Sequence, residues 1–321
     1  MSRIAYLTHS DCALHDVGPW HPESPKRWQA IDDALRGAPW FGQLRSIMAP
    51  AATLEQLRRA HTDSHIESVR RAAPRSGVAW LDPDTGLNRF SWQAALAASG
   101  AVVRAVDAVM AGEAQRAFCN VRPPGHHAEA DRAMGFCLFN NVAIGVMHAL
   151  HAHSLQRVAL VDFDVHHGNG SEDILRDEPR VLLCSSFRHP FYPYSGSQAH
   201  AGFIPAPLPE GADGVRFRAA VEQLFLPALE AFRPQLVFMS AGFDAHRDDP
   251  LGGLNLVEAD YAWITRELCA LADRHAQGRV VSVLEGGYDL GALGRCAVAH
   301  VAAMRYPEGP GWPLDRPHNA G

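Results

Sequence analysis

No run of 18 apolar residues occurs in this chain, and Met1 to Leu7 (Met-Ser-Arg-Ile-Ala-Tyr-Leu) lacks the apolar core of a secretory leader. A soluble, intracellular protein that spans no membrane is therefore expected. Basic excess is also missing: 29 Lys and Arg against 35 Asp and Glu leave a formal charge of −6, without the footprint of a nucleic-acid binder. No Cys-x-x-Cys pair occurs among the six cysteines (12, 119, 137, 184, 269 and 296), and most lie in apolar segments. Buried, reduced thiols are expected, not a disulfide framework. Internal repeats, low-complexity tracts and interdomain linkers are absent too, so residues 1–321 read as one domain, with 306–321 an irregular Pro-rich tail. What remains is 47% apolar and 20% charged residues, an ordinary globular balance, and 18 histidines, an unusually large number.

Short apolar runs alternate with helical patterns along the chain. Strands are expected at 3–9, 117–121, 158–161, 181–187, 236–240 and 280–284. Helices are expected after Ser24-Pro25, from Thr53-x-x-Gln56 to Ala60, from Asp63, and over 91–110, 140–149, 214–232, 259–276 and 290–304. The stretches 10–27, 77–90 and 189–211 read as loops. His148, His151 and His153 fall on or after the helix from Asn140 and are expected on its solvated face. Strand–helix alternation of this kind implies an α/β fold: one open parallel sheet with helices on both faces.

The central stretch is Arg157 to Gly170, Arg-Val-Ala-Leu-Val-Asp-Phe-Asp-Val-His-His-Gly-Asn-Gly. Val158 to Val161 reads as a strand buried on both faces, and Asp162, Asp164 and His166 follow at alternate positions, on one face if the chain stays extended. Two carboxylates and an imidazole grouped at a buried strand end are costly without a cation. Zinc or ferrous iron would suit that donor set. Three other strand ends carry reactive groups: His126 and His127 after Arg122-Pro-Pro-Gly, Asp244 after Ala241-Gly-Phe, and Tyr288 after Glu285-Gly-Gly. In a parallel sheet these ends share one edge and can converge on one crevice. Asp244 can supply a third ligand and leave open positions, as a catalytic metal needs. A histidine beside a metal-bound water suits general base and acid work, and a phenol can stabilise an oxyanion.

Taken together, Arg122-Pro-Pro-Gly-His-His127, Asp162-Phe-Asp164-Val-His166-His-Gly-Asn-Gly, Ala241-Gly-Phe-Asp244 and Glu285-Gly-Gly-Tyr288 resemble the zinc-dependent histone deacetylase superfamily, nearest its class II branch and bacterial homologues. The resemblance runs from His21-Pro-Glu to the last helix and implies the arginase/deacetylase fold. It implies that Asp164, His166 and Asp244 bind zinc, that His127 is the general base and acid, and that His126 is its electrostatic partner. Asp162 would bond His126, and Asn169 would stand near His127 where some members carry Asp. Tyr288 would polarise the amide carbonyl. Structural potassium is implied at Asp162, Asp164, His166, Ser185 and Ser186. The acyl-lysine tunnel would use Gly135, Phe136 and Tyr192, the last in place of a commoner Phe, with His21 and Asp84 also on the substrate side. Polyamine-selective relatives carry a Glu where this chain has Leu251, which tilts the expected substrate from acetylpolyamines to acylated lysine. A non-catalytic acyl-lysine binding module and a two-manganese ureohydrolase are the competing readings. The intact His126, His127 and Tyr288 oppose the first, and too few bridging Asp residues oppose the second.

Overall fold

The computed structural model describes residues 4–305; the tail expected at 306–321 lies outside them. In chain order the elements are β1 (Ile4–Thr8), α1 (Pro25–Gly37), β2 (Arg45–Met48), α2 (Leu54–Leu57), α3 (Asp63–Ala72), β3 (Ala79–Trp80), β4 (Gly86–Leu87), α4 (Ser91–Met110), β5 (Arg116–Cys119) and α5 (Asn141–Ala152). They continue with β6 (Val158–Asp162), α6 (Asn169–Leu175), β7 (Val181–Arg188), β8 (Phe203–Leu208), α7 (Gly214–Ala220), α8 (Leu226–Phe232), β9 (Leu236–Ala241), α9 (Glu258–His275), β10 (Val280–Leu284) and α10 (Leu290–Arg305). Eight strands form one open parallel sheet in the order β2-β1-β5-β10-β9-β6-β7-β8.

Successive strand residues feed two separate cores. Leu160 and Phe238 join α4 and α5 on one face, while Ala159, Val161, Val237 and Met239 join α1, α9 and α10 on the other. That division is why the central strands read as unbroken apolar runs. Helix α4 is long and apolar enough to cross a membrane by length and hydropathy, yet it is packed against β5 and α5 with most of its side chains buried. All six cysteines are buried and unpaired.

Several elements depart from the sequence reading. Both edge strands were unexpected. Strand β2 is largely exposed and carries no apolar alternation. Strand β8 lies inside the expected 189–211 loop and contains Pro205 and Pro207, which an edge strand tolerates because it need not donate on its open side. The 77–90 loop holds a small antiparallel hairpin, β3–β4. The capping box of Thr53 and Gln56 forms, but α2 ends at Leu57, short of Ala60. Ser24 stands at the cap of α1 without a side-chain hydrogen bond. The helix expected over 214–232 is broken by a π turn at Val221–Phe225, just before Pro227, whose missing N–H and bulky ring disfavour a regular α turn there. His148 is a further correction: it is buried, and both it and His153 reach Asp107 Oδ1 at 2.8 Å, while His151 is exposed.

Two buried histidines tie stability to pH. Thr265 donates its hydroxyl to the Tyr261 carbonyl and so accepts from His300 Nδ1; His300 Nε2 then takes the Ser282 hydroxyl at 2.8 Å. His61 accepts the Asn140 N–H on Nε2 and donates from Nδ1 to the Glu129 carbonyl. Burial pushes both down to about 3. The unfolded chain takes up protons near pH 6.5 and the native state does not until about pH 3. Stability is therefore fullest above pH 6.5 and falls as pH drops through that window, by roughly 1.4 kcal/mol per pH unit for each group. Denaturant titrations at pH 7 and 5 should show His300→Gln losing less stability on acidification than the wild type. An equally steep fall in both would refute the assignment.

Candidate active site

The four strands whose ends carry the motifs are neighbours, β5-β10-β9-β6, and all run the same way, so their carboxyl ends form the middle of one sheet edge. Ligand atoms of Asp164, His166 and Asp244 lie within 4.8 Å of one another. Strand β6 ends at Asp162, so extended alternation does not gather this set. A turn does: the Asp164 N–H bonds back to Asp162 Oδ1 (3.1 Å), and the His166 N–H bonds to Asp164 Oδ1 (2.8 Å). His166 Nδ1 faces Asp164 Oδ1 at 3.0 Å and Asp244 Oδ2 at 3.3 Å. Asp244 Oδ1 accepts the Val165 N–H (2.9 Å), whereas its buried Oδ2 has no hydrogen-bond partner.

That orphaned oxygen, beside an imidazole nitrogen and a second carboxylate, is what a cation would satisfy. The backbone leaves room for one. The Gly286 N–H donates to Asp164 Oδ2 (2.8 Å), and a Cβ on Gly286 would stand 2.0 Å from Asp244 Oδ2. Two other groupings, Asp107–His148–His153 and His246–Glu258–Cys296, also bring ligand-type atoms within 4.8 Å. There, however, His148 Nδ1 accepts from Arg59 and His246 Nδ1 from the Asp248 N–H, which leaves the proton on the Nε2 that faces each cluster. Of the three groupings, the Asp164 set is the one with a buried carboxylate oxygen, Asp244 Oδ2, that no hydrogen bond satisfies.

Two histidines lie above this set with opposite electrostatics. His126 Nδ1 donates to Asp162 Oδ2 (3.0 Å), and its turn is pinned by the buried Glu285, whose Oε2 accepts the Gly125 and His126 N–H groups at 2.7 and 3.0 Å. Burial alone would lower His126, but the Asp164 and Asp162 carboxylates outweigh it and hold the imidazole well above its usual range. His127 Nδ1 donates to Asn169 Oδ1 (2.8 Å). Burial, then the charges of His126 and His166, drive His127 well below its usual range, so it is the neutral member of the pair. Burial also pushes Asp244 up to about 7, helped by the Asp164 charge, and Glu285 to about 7.

Tyr288 sits on the turn after β10. Asp249 Oδ2 accepts the N–H groups of Tyr288 (2.6 Å) and Asp289 (3.2 Å), and its Oδ1 accepts that of Leu251 (2.9 Å), tying Leu251 into the same turn. Burial raises the Tyr288 phenol well above its usual range, keeping it a proton-bearing donor. Phe136 meets the Tyr288 ring edge-on at 5.9 Å and His21 at 4.6 Å. Tyr192 meets His127 at 5.2 Å and His166 at 6.0 Å. Gly135 adopts φ +56, and a Cβ there would lie 2.4 Å from the His127 ring. His21 bonds the Asp84 carbonyl (3.0 Å) and so ties that turn to Phe136. Ser185 lies opposite Asp162 in the β6–β7 register, with its Oγ 3.2 Å from His167 Nδ1, and Ser186 is buried beside it.

Sequence reasoning missed the supports. Arg27, fully buried, donates to the carbonyls of Gly287 (2.6 Å) and Glu285 and lies 4.8 Å from the Tyr288 ring centre. Glu23 joins Arg27 to Arg122, which in turn bonds the Cys12 and His15 carbonyls. Full charges inside His21-Pro-Glu23 and Arg122-Pro-Pro were the available signal. Asn169 opens α6, and its amide oxygen lies 2.8 Å from His127 Nδ1.

Two carboxylates and a histidine thus lie at one sheet edge within ligand distance of one another, with the His127 ring centre 5.7 Å from that of His166, an arrangement that could serve a hydrolase. Residues 21–304 match the histone deacetylase domain family. The chain is 34% identical over 306 residues to a probable deacetylase of Archaeoglobus fulgidus, covering 92% of this chain and 84% of that protein. It is 34% identical over 327 residues to a histone deacetylase-like amidohydrolase of Pseudomonas aeruginosa, covering 94% and 86%. The crystal structure of the HDA15 HD domain superposes with a TM-score of 0.89 at 33% identity, over 96% of this chain and 91% of that one. This chain belongs to the histone deacetylase family, a family of deacetylase-type hydrolases with the arginase/deacetylase fold.

Proposed function

We propose that this protein is a zinc-dependent amidohydrolase that removes acetyl or other acyl groups from the ε-amine of lysine. The observation that carries the reading is the trio Asp164, His166 and Asp244, with the buried Asp244 Oδ2 left without a hydrogen bond and the neutral His127 nearby. When bound, a divalent metal held by these three residues supplies Lewis acidity to water and to the amide carbonyl. Zinc fits the donor set, and ferrous iron would also be accepted. His127, with its proton on Nδ1, has the Nε2 lone pair free to take a proton from water and return it to the leaving amine. His126, held cationic by Asp162 and Asp164, supplies positive charge next to the reacting carbonyl. Tyr288 donates its phenol hydrogen to the carbonyl oxygen as charge develops there. Structural potassium at Asp162, Asp164, His166, Ser185 and Ser186 belongs to the same reading, supported by the buried hydroxyls of β7 opposite Asp162.

Phe136 beside Tyr288, and Tyr192 beside His127 and His166, suit a four-carbon stem ending in a neutral amide, whereas a charged free amine would be penalised against such aromatic surfaces. Leu251 offers no carboxylate to a second cationic amine, which favours acylated lysine over acetylpolyamines. Side-by-side kinetics on acetyl-lysine peptides, longer acyl-lysines and N-acetylated polyamines test this. The expected result is the highest kcat/KM on an acyl-lysine; a clear preference for an acetylpolyamine would overturn the substrate assignment and leave the chemistry in place.

A further inference from the structure

His127 leans on an amide, not a carboxylate, and an amide has two unlike ends. With Asn169 Oδ1 toward it at 2.8 Å, His127 carries its proton on Nδ1. Rotated by half a turn, Asn169 would present its NH2 group instead. His127 would then have to place its proton on Nε2 and lose the lone pair a general base needs. A triad histidine in the wrong tautomer costs up to about 10⁴-fold in rate. Something must therefore hold the amide.

The surroundings of Asn169 Nδ2 are all acceptors: Glu129 Oε1 at 2.7 Å, Met134 Sδ at 3.3 Å and the His127 carbonyl at 3.4 Å. The Glu129 bond is the shortest and the one with a formal charge, so it contributes most to the orientation. Glu129 is itself held. Its Oε2 accepts from Arg132 Nη2 (2.9 Å), its N–H donates to the Arg132 carbonyl (2.9 Å), and its own carbonyl accepts from His61 (3.0 Å). Its side chain is only 22% exposed. His126 needs no such arrangement, because both oxygens of Asp162 are acceptors.

We propose that Glu129 is a positioning residue for the general base: it orients the Asn169 amide, which fixes the His127 proton on Nδ1 and leaves Nε2 free. The proposal rests on His127 being that base.

A double-mutant cycle on the metal-loaded protein tests it. Glu129→Leu should lower kcat by about 10–100-fold, the usual cost of losing an outer hydrogen-bonding partner, with little change in KM. Glu129→Gln can still turn its one oxygen to Asn169, giving up the Arg132 contact at its other end, and should lose less turnover than Glu129→Leu. Asn169→Asp needs no orienting, but it sets two carboxylates at the 2.7 Å contact and should be slow while Glu129 is present. Adding Glu129→Leu to Asn169→Asp should then raise kcat, reversing the sign of its effect. A residue that merely braces the 129–132 turn would lower turnover by the same factor in both backgrounds, and that result would overturn the proposal. So would full activity of Glu129→Leu with Asn169 intact. Should Glu129→Leu fail to fold, Glu129→Ala takes its place, and it should slow turnover beside Asn169 and raise it beside Asn169→Asp. His127→Ala, run in parallel, separates the two levels: if it keeps its turnover, the base assignment fails whatever Glu129 does.

Discussion

Tyr288→Phe is expected to lower kcat by about 10²–10³-fold while KM changes little. Amide hydrolysis passes through a tetrahedral oxyanion, and a hydrogen bond that strengthens as charge develops acts on the transition state and not on substrate binding. The substitution keeps the ring that meets Phe136 at 5.9 Å and Arg27 at 4.8 Å, and it leaves the backbone N–H bond to Asp249 untouched. Only the donor is lost. Binding of a metal-chelating hydroxamate should therefore survive unchanged, which shows that the site is still assembled. A raised KM with kcat preserved would make Tyr288 a substrate-binding residue and remove its oxyanion role.

Asp244→Ala is expected to cost more. A hydrogen-bonding partner outside the ligand set typically contributes about 10–100-fold in metal affinity, and a direct ligand should exceed that range. The substitution also removes the acceptor of the Val165 N–H, which helps fix the turn between Asp164 and His166. Stoichiometric metal and detectable turnover should disappear together. The fold should persist, since the side chain faces the crevice edge and the two hydrophobic cores lie on either side of the sheet behind it. Retention of the metal with normal turnover would show that the three-residue site is wrongly assigned.

The convergence of the candidate residues was legible in the sequence because they follow apolar runs, and a parallel sheet brings the ends of such runs to one edge. Parallel pairing of β5, β10, β9 and β6 bears that out. The local reason given for Asp162, Asp164 and His166 was less sound. Alternation on a strand would have aimed all three side chains together, but β6 stops at Asp162, whose carboxylate turns to His126 while the next two gather through backbone hydrogen bonds. What the pattern could not show were contacts made across large separations in the chain. Arg27 reaches the Gly287 carbonyl, Glu285 reaches the turn at Gly125, and Glu129 reaches Asn169, none of which leaves a periodic trace. The edge strands were missed for the opposite reason: β2 and β8 are polar or proline-bearing because an edge permits it, and so they resemble loops.

The central claim is that one metal, held by Asp164, His166 and Asp244, serves amide hydrolysis. Its most direct test is to strip the wild type and Asp244→Ala with a chelator, add zinc back in steps, and measure bound metal and acetyl-lysine turnover on the same samples. In the wild type, activity should rise with bound zinc and level off at one equivalent per chain, while Asp244→Ala should show neither stoichiometric binding nor turnover. Full turnover by metal-free wild type, or unchanged saturation at one equivalent in active Asp244→Ala, would contradict it.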